Sequence, residues 1–192
     1  LLTVQHGIAS PYNIFKIKFT KEKNTLAVLT SNRHQNKVDV NFVDIKNQKV
    51  NKLFTETDEK WVDTDNVTLE FLDDNSFIWG SERDGNRHLY WYDQNGKLKK
   101  QITKGNWEVT DYYGYNPKTK EVLIQTTEKG SINKVVSKVN IQNGKSTLIS
   151  NSLNQATFNS TQESTYTSSS IVINGGVLIN KMCVLGDSLH VT

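Results

Sequence analysis

The sequence predicts an all-β chain, a β-propeller fragment of about three to four four-stranded blades. Matching turns recur at Asn47-Gln48-Lys49, Asn95-Gly96-Lys97 and Asn143-Gly144-Lys145, so both intervals are 48 residues. The large side chains, 7 Phe, 7 Tyr and 4 Trp among many β-branched residues, suit half-buried strands. No stretch carries the 3.6-residue apolar stripe of a helix. Four strands per ~40–50 residues with turn signals between them is the pattern of a propeller blade.

The first repeat covers about 15–54, the second 67–103 and the third 113–150. In each, a first strand (Ile17-Lys18-Phe19, Leu69-Glu70-Phe71, Tyr113-Gly114-Tyr115) is followed by a polar turn: Lys21 to Asn24, Asp73 to Asn75, and Asn116 to Lys120. Asn and Asp favour such turns by bonding nearby backbone, and Pro117 presets φ. Short apolar runs come next, Leu26 to Leu29, Phe77 to Trp79 and Val122 to Ile124, with the length of buried strands. A third strand leads into the Asn-x-Lys turn, whose Asn-Gly form suits a tight hairpin needing positive φ. The outer strand returns through segments such as Leu98 to Thr103 and Ser146 to Ile149. Equivalent inner positions, expected to be buried, are Phe19, Leu26, Val28, Phe71, Phe77, Trp79, Tyr115, Val122 and Ile124. A β-sandwich has similar strands and turns but does not require the 48-residue repeat.

The organisation read from these repeats is a partial propeller over 1–158 and a tail over 159–192 with room for extra strands. Asn154 to Asn159 could open a fourth blade. Ile171-Val172-Ile173 and Val177-Leu178-Ile179 flank Asn174-Gly175-Gly176 as a hairpin would.

Composition excludes several classes. The formal charge is +3, from 23 basic and 20 acidic residues that alternate along the chain. The cluster Lys97, Lys99, Lys100 reads as a solvated hairpin end, so nucleic acid is not an expected partner. With 1 Cys, Cys183, no intrachain disulfide and no cysteine-rich zinc site can form. No apolar run reaches the ~18 residues of a membrane helix. Leu1 to Gln5 does not resemble a signal peptide, and Leu1 suits a processed or truncated N-terminus.

No catalytic, metal or cofactor residue emerges, and substrate-binding residues stay unassigned. His88 reads as a structural strand histidine. Asp187, Ser188 and His190 are too close in sequence for a triad, whose members come from separate elements. Gly186-Asp187-Ser188 lacks the second glycine of Gly-x-Ser-x-Gly, a motif absent from all 192 residues. Glu56-Thr57-Asp58-Glu59 reads as an exposed acidic linker. Buried Glu82, Arg83 or His88 would need partners, which predicts a hydrogen-bond set around the Asp84-Gly85 turn.

Residues 61–109 carry a sharper signal. Ser81-Glu82-Arg83-Asp84-Gly85-Asn86-Arg87-His88-Leu89-Tyr90 is followed after the hairpin by Thr103-Lys104-Gly105-Asn106-Trp107-Glu108-Val109. Over roughly 35–150 the chain resembles the N-terminal region of the dipeptidyl peptidase IV family of prolyl oligopeptidase-type serine peptidases, its bacterial members most. The resemblance implies a non-catalytic propeller that gates and positions peptides for a separate α/β-hydrolase domain. The implied partners are that domain, the remaining blades and the peptide substrate, and a homo-oligomer is compatible with it. It implies no cofactor, and a periplasmic or extracellular parent protein. The family's glutamate pair for the substrate N-terminus lies upstream of the part represented, and Glu56 to Glu59 do not match it. Two other readings compete: a stand-alone propeller-like scaffold binding a protein or glycan, and a different propeller enzyme with its site on channel-mouth loops.

Overall fold

The computed structural model describes residues 12–131 and 134–149, and the backbone of 157–158 and 164–165. The expected hairpin at 171–179 lies outside them. Among the described residues there is no helix, and twelve strands form three four-stranded antiparallel sheets in chain order. The first sheet holds β1 (Tyr12–Phe19), β2 (Thr25–Asn32), β3 (Lys37–Asp44) and β4 (Lys49–Thr57). The second holds β5 (Leu69–Phe71), β6 (Phe77–Ser81), β7 (His88–Tyr92) and β8 (Leu98–Gln101). The third holds β9 (Val109–Asn116), β10 (Glu121–Thr126), β11 (Val135–Asn140) and β12 (Ser146–Leu148). A two-stranded pair follows, β13 (Thr157–Phe158) with β14 (Ser164–Thr165). The chain divides between Gln101 and Ile102 into two compact units.

The turn chemistry explains the repetition. Gln48, Gly96 and Gly144 take φ of 54°, 78° and 76°, the left-handed conformation that each Asn-x-Lys turn requires. Asn24 and Lys120, one residue before the second strand of their sheets, and Asn75, two residues before, take 63°, 58° and 62°. Gly96 is needed on a second count: a Cβ there would stand 2.7 Å from the Leu53 carbonyl oxygen. Register repeats as well, since Phe19 pairs with Leu26, Phe71 with Phe77, and Tyr115 with Val122.

The core of the first unit lies between its two sheets. Ala27, Leu29, Val38 and Val40 meet Phe71, Phe77, Trp79, Tyr90 and Tyr92. Phe54 on β4 is the hub, its ring 5.9 Å from Phe77, 5.3 Å from Trp79 and 4.9 Å from Tyr92. Such aromatic pairs add about 0.5–1.5 kcal/mol each beyond the area they bury. The free edge of β5 is held by lysines of β1: Lys16 Nζ donates to the Val67 carbonyl at 2.7 Å, and Lys18 Nζ to that of Leu69 at 2.6 Å. Burial, with the nearby charges of Lys18 and Arg87, lowers the pKa of Lys16. In the second unit Val122, Ile124, Val135 and Val139 are buried, and β9 bulges where it pairs with Leu123 to Thr126.

Phe71, Phe77, Trp79, Val122 and Ile124 are buried as expected, but Phe19 is 79% exposed, and Leu26, Val28 and Tyr115 are only half-buried. The strand β2 is apolar on both faces, so alternation cannot say which row meets the second sheet. The structure turns Ala27 and Leu29 to it, together with Lys16 and Lys18, whose ammonium groups find carbonyl acceptors there.

Candidate functional site

A cleft opens at one end of the contact between the first and second sheets, lined by the end of β4, the link after it, and the β6–β7 turn. Its position follows from strand alternation. Glu56 lies two residues beyond Phe54, and Ser81 two residues beyond Trp79, so the apolar rows end in polar groups on the same faces. Glu56 is therefore no part of an exposed linker: β4 runs through Thr57, and Glu56 is 7% exposed. Its burial is made tolerable by partners, because an unpaired buried carboxylate is expensive. Ser81 Oγ donates to Oε1, and Arg83 Nη2 donates to Oε2 at 2.5 Å.

Arg83 completes a closed set. Its Nε donates to Ser81 Oγ at 2.9 Å, and its guanidinium lies 4.4 Å from the centre of the Tyr90 ring. Burial alone would lower the pKa of Arg83, but the Glu56 charge together with Tyr92 and Tyr90 outweighs it and the net direction is up. Tyr90 in turn donates to Asp84 Oδ2 at 2.7 Å, and Gln101 Nε2 donates to the same oxygen at 2.9 Å. Burial, then the Asp84 bond, raise the pKa of Tyr90. This is the hydrogen-bond set expected around the Asp84-Gly85 turn, with Gly85 at φ 86°.

The link forms the opposite lip. Asp58 Oδ1 accepts from the amides of Lys60 and Trp61 at 2.8 and 3.2 Å. Asp63 Oδ1 accepts from those of Asp65 and Asn66 at 2.9 and 3.2 Å. The Lys60 and Trp61 amides hold the Asp58 carboxyl below its ordinary range. Val62 N donates to the Gln35 carbonyl at 2.7 Å, which ties the link to the β2–β3 turn. At the inner end Arg87 Nη2 donates to the Asn66 carbonyl and, at 2.8 Å, to Thr68 Oγ1. Trp61 stays 53% exposed at the mouth. The cleft volume is about 30 Å³, room for roughly two water molecules.

This arrangement can hold a small polar group beside an exposed indole. With Ser81 and Arg83 both on Glu56, each oxygen of that carboxylate has a donor. His88 is 2% exposed and pairs in register with Ser81. Asp187, Ser188 and His190 lie outside the described residues, among which no three His, Cys, Asp or Glu gather as a metal site requires. No helix among the described residues is long and apolar enough to cross a membrane.

Comparison with known proteins bears on both fold and site. Residues 3–176 match the family described as the dipeptidyl peptidase IV (DPP IV) N-terminal region. The crystal structure of Porphyromonas gingivalis dipeptidyl peptidase 4 superposes with a TM-score of 0.75 at 31% identity, over 85% of this chain and 24% of that one. A putative dipeptidyl aminopeptidase IV from Bacteroides ovatus ATCC 8483 gives a TM-score of 0.68 at 25% identity, over 82% of this chain and 26% of that one. The chain thus spans about a quarter of the length of these solved relatives. The all-strand architecture of successive four-stranded sheets is that of a β-propeller fragment.

Proposed function

Since the chain belongs to the DPP IV N-terminal region family, we propose that it is the non-catalytic propeller portion of a DPP IV-like serine exopeptidase. In this reading it narrows access to small peptides and positions them for a separate α/β-hydrolase domain. The parent protein works in the periplasm or outside the cell. The observation that carries the reading is the pairing of a family match over 3–176 with the absence of Gly-x-Ser-x-Gly from the sequence. That motif supplies the strained elbow on which such a nucleophile stands.

The test sets the 192-residue chain beside the product of the longer reading frame. The chain alone should not turn over X-Pro dipeptide reporters, whereas the longer product should, with its activity abolished by a serine-directed phosphonate. Phosphonate-sensitive cleavage by the chain alone would overturn the assignment.

A further inference from the structure

The two lysines that β1 extends to the edge of β5 make the same first contact but have unequal partners. Lys16 Nζ donates to the Val67 carbonyl at 2.7 Å, and Lys18 Nζ to that of Leu69 at 2.6 Å. Lys18 also has a counter-charge, Glu70 Oε2 at 2.7 Å. The ladder of the second sheet extends back to Thr68, whose carbonyl accepts from Gly80 N at 3.1 Å. Thr68 therefore falls on the same face as Glu70, at the place where a matching carboxylate for Lys16 would stand. Thr68 is neutral, and its hydroxyl already accepts from Arg87 Nη2 at 2.8 Å. Where Lys18 has an anion, Lys16 has a second cation nearby.

An ammonium carries three donors, and among the described residues Lys16 uses one of them, with no carboxylate paired to it. Burial, then the charges of Lys18 and Arg87, lower its pKa, the mark of a cation set among cations. Like charges gathered in a half-buried place are costly unless an anion joins them. Lys16 and Arg87 both keep part of their surface in solvent, so a solute can reach them. We propose that Lys16 and Arg87 bind a carboxylate group of a small soluble ligand, which takes beside Lys16 the place that Glu70 takes beside Lys18. An ammonium and a guanidinium together suit a carboxylate, whose two oxygens can each take a donor. The inference rests on the unequal partners of Lys16 and Lys18 and is independent of the peptidase reading.

Titration of the 192-residue chain with acetate, with succinate and with inorganic phosphate, chloride holding the ionic strength constant, tests it. In protein carrying isotopically labelled lysine, either carboxylate should shift the methylene resonance next to Lys16 Nζ saturably and leave that of Lys97 in place. Saturating carboxylate should also raise the melting midpoint above that in chloride, because a ligand bound only to the folded state stabilises it. Lys16→Met should cancel most of that rise. The absence of a saturable shift at Lys16 would overturn the proposal, as would equal shifts at Lys97, the sign of an adventitious ion only. Saturation by phosphate and by neither carboxylate would overturn it as well. If the product of the longer reading frame no longer responds, the proposal falls in favour of a carboxylate of the same polypeptide.

Discussion

The contact between the first two sheets has two ends that contrast in chemistry. At one end Phe42, Phe54, Phe71, Phe77 and Tyr92 pack ring against ring. At the other the same rows finish in Glu56 and Ser81, bridged by Arg83. The apolar end gains free energy by removing area from water, without directional demands. The polar end gains little from its ion pair, because desolvation cancels much of the attraction, yet every member must be present. Burial alone therefore does not say what a residue contributes. Its replaceability depends on whether its neighbours need a partner or only a filled volume.

Substitutions sharpen this contrast. The largest effect should come from Trp79→Ala or Phe77→Ala, about 3–5 kcal/mol each in urea unfolding, as for other fully buried aromatics. Val28→Ala, on the open side of the first sheet, should cost much less, and equal losses would break the comparison. Next comes Glu56→Gln, which leaves Arg83 facing a neutral group. Because the Arg83 side chain keeps 31% of its exposure, the expected loss is about 1–3 kcal/mol rather than that of a fully buried pair. Replacing Glu56, Ser81 and Arg83 together by apolar residues should restore most of it, and a triple variant weaker than Glu56→Gln would refute this account of the polar end.

The smallest effect concerns pH. The amides of Lys60 and Trp61 hold the Asp58 carboxyl low. A carboxyl depressed in the folded state stabilises the protein above its unfolded value, about 3.9, and that contribution disappears as pH falls through the lower folded value. Asp58→Asn should therefore flatten the acid limb of a stability–pH curve, with a small loss at neutral pH that vanishes as pH falls through the folded value. An unaltered acid limb would remove Asp58 from that role.

Much of the fold was legible because turns are local. Gln48, Gly96 and Gly144 each occupy the one position of an Asn-x-Lys turn that needs positive φ, and a local need leaves a local mark. The strands of the second sheet were legible for a related reason, since Phe77 and Trp79 are too large and apolar to face water there. The cleft was not legible. Glu56 sits in an acidic run that reads as solvated, and its strand identity depends on β4 continuing past Phe54 to pair Glu56 with Val38. The usable signal was its spacing of two from Phe54, matched by the spacing of Ser81 from Trp79.

By itself, then, the sequence determined the all-strand repeat, the turn positions and the family, because each depends on neighbours close in the chain or on motifs written contiguously. Tertiary structure alone decided which face of β2 meets the second sheet, and that Glu56 is buried beside Ser81 and Arg83. The physical reason is that exposure belongs to pairs of surfaces. Phe19 and Phe71 hold the same place in the same repeat, yet one lies in solvent and the other in the core, because among the described residues only the second has a sheet packed against it.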